Sequence, residues 1–108
     1  MSKDLLRVNL PLQVAMQFVK DGQKSDLVHE EILDFGNGKL SGTLIFEKYY
    51  FRAENRAALI VLFDNLKDYT EIRVISTGST QGIFLKIDWG AADDFASSVR
   101  KTLKNHLV

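Results

Sequence analysis

Between Leu40 and Asp88 the sequence carries four segments rich in β-branched and aromatic residues, separated by breaks of only a few residues. They run from Leu40 to Phe51, Ala57 to Phe63, Tyr69 to Thr77 and Ile83 to Asp88. The breaks are Ala53-Glu54-Asn55, Asp64-Asn65 and Gly78-Ser79-Thr80-Gln81-Gly82. Such residues favour strands. A parallel pair needs a crossover of about a dozen residues or more, so breaks this short leave only hairpins. An antiparallel meander is therefore the frame into which the rest of the chain must fit.

The flanks supply helices. Leu5 to Val8 reads as a short first strand. Asn9-Leu10-Pro11 reads as a helix start, with a capping residue and a proline whose missing N–H costs nothing in the first turn. Leu12, Ala15, Met16 and Val19 follow at helical spacing, widened by Val14 and Phe18, and predict a helix over 11–20. Gly22 suits the left-handed position after it. Leu27 to Leu33 fits either type. Val28, Ile32 and Phe35 have helical spacing, whereas short apolar pieces before Gly36-Asn37-Gly38 suit a strand, which is the reading adopted. At the C-terminal end Ala92, Phe95, Ala96, Val99, Leu103 and Leu107 make one apolar stripe. Asp93 and Asp94 in the first turn and Arg100, Lys101 and Lys104 later suit the helix dipole. The stripe predicts a long helix over 91–106, with Phe95, Val99 and Leu103 buried.

The expected fold is thus α+β in one domain, 1–108: an antiparallel meander packed on a long C-terminal helix, with a short N-terminal helix. The order of elements resembles a trimmed Bet v 1-like, or helix-grip, fold. A TATA-binding-protein-like sheet and a plain two-layer sandwich are the alternatives.

Composition excludes several functions. Lysine plus arginine and aspartate plus glutamate each number 14, so the formal net charge is zero. Nucleic-acid and anionic-membrane binders carry a basic excess, so neither partner is expected. There is no cysteine, which removes disulfides, thiolate metal sites and a cysteine nucleophile. The longest apolar run, Ala57 to Phe63, is far short of the roughly 20 residues of a membrane helix. Met1 to Arg7 has no signal-peptide pattern, and a cytoplasmic protein is expected.

The motifs carry little chemistry. Gly78 to Gly82 lacks the lysine and following helix of a phosphate loop and reads as a hairpin turn. His29 and His106 have no metal-ligand spacing, so no metal or cofactor is expected. Ser97 and Ser98 lack a glycine elbow. The densest polar–aromatic segment is Glu47 to Arg52. On a strand, Glu47, Tyr49 and Phe51 share one face and Lys48, Tyr50 and Arg52 the other. Together with Asp88 and Trp89 at the entry to the last helix, Tyr49, Tyr50 and Arg52 are the candidate ligand-binding residues. Packing and solvation explain the same residues without a ligand.

The segments Phe46 to Arg52, Asn55 to Leu59, Ser76 to Gly82 and Asp88 to Ala91 resemble a family of small bacterial proteins classed only as a domain of unknown function. The resemblance runs from about Leu27 onward and implies a bacterial cytoplasmic protein without an assigned activity. In that family the turn is closer to Ser-Gly-Gly-Gly; Thr77, Ser79 and Thr80 depart from it here. Two functions follow as expectations: a non-enzymatic module binding a small apolar or amphipathic ligand, or a protein–protein interaction module with a solid core. A homodimer is expected as well. Ala57 to Phe63 is apolar on both faces, where a strand between helices and water alternates. Two helices cover only one face of a small sheet, and a second copy is the commonest cover for the other.

Overall fold

The computed structural model describes residues 2–50, 55–77 and 96–108. Strand β1 (Ser2–Val8) leads into helix α1 (Leu12–Gly22), then β2 (Asp26–Asp34), β3 (Leu40–Tyr50), β4 (Asn55–Asp64) and β5 (Thr70–Thr77). Helix α2 covers 96–103 and tightens into a 3-10 turn at Lys104–His106. The five strands form one antiparallel sheet in the order β1-β5-β4-β3-β2. The chain is therefore α+β, with a five-stranded antiparallel sheet and two helices among the described residues.

The hairpins fall where the turn residues require them. Gly36, Asn37 and Gly38 have φ of 87°, 55° and 78°, a left-handed run that glycine and asparagine enter most cheaply. Asp34 Oδ1 accepts from Gly36 N at 2.8 Å and begins the turn. Asn65, after β4, clips the two turn regions together: Leu40 N donates to its Oδ1 at 2.7 Å, and its Nδ2 donates to Gly38 O at 2.9 Å.

The expected meander is corrected in one respect. β1 pairs along the far side of β5, from Ser2 opposite Ser76 to Val8 opposite Thr70. Both edges of β5 are thus taken, by β4 and by β1, and the hairpin place beside β5 is filled by the start of the chain. Ile83 to Asp88 lies outside the described residues. Leu27 to Leu33 is a strand, as expected.

Strand parity sorts the sheet into two faces. Leu6 and Val8, Leu44 and Phe46, Leu59, Val61 and Phe63, and Ile72 and Val74 are buried on the inner face. Leu12, Ala15, Met16 and Val19 of α1 and Ala96, Val99 and Leu103 of α2 join the same cluster. Val99 and Leu103 are thus buried as expected; Phe95 lies outside the described residues. α1 lies over β3 at Gly42, where a Cβ would collide with Met16 Sδ. That contact explains a glycine inside a strand. Gly22 is the last residue of α1, not a left-handed cap beyond it. Its hydrogen faces α2, since a Cβ there would sit 2.6 Å from Thr102 Oγ1. Gln23 Nε2 donates to Ser98 Oγ at 2.6 Å and joins the helices at the same level.

The long C-terminal helix is corrected too. Its α-helical part within the described residues is 96–103, and 91–95 lie outside them. Leu107, expected on the helical stripe, is extended and forms an antiparallel bridge with Val8. Asn9 N donates to His106 O at 3.1 Å and Val108 N to Arg7 O at 2.9 Å. Pairing with β1 outweighs the helical spacing there, because it satisfies backbone groups on both partners.

Candidate functional site

The outer face of the sheet carries apolar side chains in register. Ile45 lies opposite Ile60, and Ile60 opposite Ile75, so three isoleucines form one row across β3, β4 and β5. The adjacent row runs Thr43, Leu62, Arg73, Leu5. The isoleucines and Leu62 are half-buried and Leu5 is exposed. The register from β3 to β5 has no shift, so no bulge turns these side chains inward. Both helices are committed to the other face. Toward β1 the surface opens into a pocket of about 590 Å³ whose lining includes Lys3, Leu5, Arg73 and Ile75.

β2 is different in kind. Each of its nine residues is exposed. The two helices cover the inner side of the other four strands, and β2 overhangs them. Leu27, Val28, Ile32 and Leu33, with Phe35 just beyond, are 41–62% exposed. A β-bulge at Val28 shifts the register between Leu27 and His29. His29 and Glu31 then share the outer face, 3.2 Å apart. Glu30, on the inner side, meets Lys20 of α1 at 2.8 Å.

A third feature is an open groove of about 710 Å³ where α1 begins, lined in part by Pro11, Lys39, Asn65, Lys67 and Tyr69. Arg7 stacks over the Tyr69 ring at 5.3 Å, and Lys67 stands 6.0 Å from the same ring. Glu71, hydrogen-bonded to Lys67 at 3.2 Å, raises the lysine pKa. The described residues lining the groove include no histidine and no hydrogen-bonded pair of ionisable side chains.

Of the candidate ligand residues, Tyr49 stands on the outer face with Glu47, opposite Arg56 and 44% exposed. It therefore points away from the core that the helices cover. Tyr50 ends β3 opposite Asn55. Arg52, Asp88 and Trp89 lie outside the described residues. Among the described residues no three His, Asp or Glu side chains gather to hold a metal ion. No described helix is long and apolar enough to cross a membrane.

The resulting class, among the described residues, is a five-stranded antiparallel sheet with two helices on one face and an apolar row on the other. The chain belongs to DUF6054, a family of unknown function, whose pattern it matches over residues 10–107. No curated protein and no solved structure matches it.

Proposed function

We propose that this chain is a non-enzymatic protein-interaction module whose outer sheet face docks on a second copy of itself. The carrying observation is the row Ile45, Ile60, Ile75, with Leu62 and Leu5 beside it, on the face opposite both helices. Soluble monomers rarely leave contiguous apolar surface beyond a few hundred Å² uncovered. A twofold copy presents an identical surface and is the commonest cover. Zero net charge sets no long-range repulsion against it.

The pocket reading draws less support. A helix-grip cavity would lie between the sheet and the helices. There the described inner face is occupied by the protein's own side chains, Phe46 and Phe63 among them, each 1% exposed. A cytoplasmic location is part of the proposal, and a chain without cysteine needs no oxidising compartment to fold.

Light scattering coupled to size exclusion tests the proposal. The expected mass is twice the 12.2 kDa of the chain, and Ile60→Lys should return it to the single-chain value while leaving the fold cooperative. A clean 12.2 kDa species from the unaltered protein at tens of micromolar rejects the dimer.

A further inference from the structure

The two edges of the sheet are treated differently. β1 is partly sealed on its outer side by the chain itself, through the Val8–Leu107 bridge and the flanking backbone hydrogen bonds of Asn9 and Val108. β2 has no described strand on its outer side, and all nine of its residues are exposed. A long edge bearing large apolar side chains is a template for another strand. Its charges select the occupant. Asp26, Glu30, Glu31 and Asp34 stand on β2 without a single lysine or arginine. Antiparallel pairing of β2 with its own copy, centred on Glu30, would set Glu30 against Glu30 and acids near acids, which destabilises a ladder.

We propose that β2 binds an extended basic segment of another protein by strand addition. This rests on the interaction-module reading but uses a surface separate from the isoleucine row. The sequence of β2 specifies the partner. Read backwards, as an antiparallel strand meets it, β2 offers Leu33, Ile32, Glu31, Glu30, His29, Val28 and Leu27. The complement is two apolar residues, two consecutive basic residues, one neutral residue and two apolar residues. Glu30 and Glu31 project to opposite faces, so the two basic residues meet one acid on each face, the inner one sharing Glu30 with Lys20 of α1. Main-chain hydrogen bonds supply affinity, and these side-chain pairs supply selectivity.

The probe is a fluorescein-labelled peptide, Val-Ile-Lys-Arg-Thr-Val-Ile with Ser-Gly ends, titrated into the full chain. Its control carries two glutamates in place of Lys-Arg. Saturable binding is expected for the basic peptide only. It should weaken as salt rises from about 0.01 M to about 1 M, where the Debye length falls to about 3 Å. Amide hydrogen exchange of the unaltered protein should slow along 26–34. Glu30→Lys with Glu31→Lys should weaken binding about tenfold or more, two favourable cross-strand pairs becoming repulsive. Ile60→Lys should bind the basic peptide unchanged, so failure of the dimer and failure of this site are read separately. Equal binding of the acidic control, protection confined to other strands, or no saturation up to about 1 mM, the weak end of specific affinity, overturns the proposal.

Discussion

Arg100 grips Asp4 with two nitrogens, Nε to Oδ2 at 2.8 Å and Nη2 to Oδ1 at 2.9 Å, and fastens α2 to β1. The guanidinium hydrogen bonds hold the Asp4 carboxyl below the usual aspartate range, with burial opposing. A depressed carboxylate stabilises the fold above its unfolded pKa of about 3.9 and loses that contribution as pH falls through the folded value. The Asp4 and Arg100 side chains are 26% and 47% exposed, so screening limits the pair to about 0.2–1 kcal/mol. Asp4→Asn should therefore melt below the unaltered protein at neutral pH, and the gap should narrow progressively in melts taken below about pH 3.9. Ser76 presents the opposite situation. Its Oγ is buried with no hydrogen-bond partner among the described residues, an arrangement that costs about 1–3 kcal/mol. Ser76→Ala should raise the melting temperature, and a lower one would reveal a partner. Val99, on the inner face of α2, is fully buried. Val99→Asp places an unpaired charge there and should abolish the cooperative transition.

Among the elements, β2 and β3 are neighbours with opposite duties. Phe46→Ala in β3 removes a buried ring and should cost about 3–5 kcal/mol. Leu33→Ser in β2 removes a side chain that is 47% exposed, and the midpoint of urea unfolding should move by no more than about 0.5 kcal/mol equivalent. Sequence alone could not separate these two strands. Leu27, Val28, Ile32 and Leu33 resemble core residues, and their exposure depends on how many strands two helices can cover. The apolar outer face was legible, because Ile60 and Leu62 break the alternation that a one-sided strand would keep. The partner of β1 was not. Nothing in Ser2–Val8 points to Thr70–Thr77, since long-range pairing is decided by which edge is left open. The apolar spacing of α2 holds at Val99 and Leu103 and stops short of Leu107, where a backbone bridge to Val8 overrides helical spacing. The aromatic pocket had the weakest basis: Tyr49 lies opposite the core, and no local pattern says which face of a strand the helices will choose.

For the molecule as a whole, pairings near and far in sequence are unevenly distributed. β2, β3 and β4 each pair with the next strand along the chain, whereas β1 must find β5, and Val8 must find Leu107. Joining distant segments incurs loop-closure entropy before the contacts repay it. The structure therefore implies an order in time. The meander can assemble as soon as its strands exist, while β1 waits for the completed β5 and for α2. Mutations should divide accordingly in chevron kinetics: Val61→Ala, in the meander, should slow refolding, and Leu6→Ala, in β1, should chiefly accelerate unfolding. A refolding rate that falls equally for both would mean that β1 is already docked at the barrier. Under the expected order, the transient species lacks β1 and exposes β5 as a second open edge. Aggregation would then compete with the docking of β1, and yield on refolding should fall as protein concentration rises.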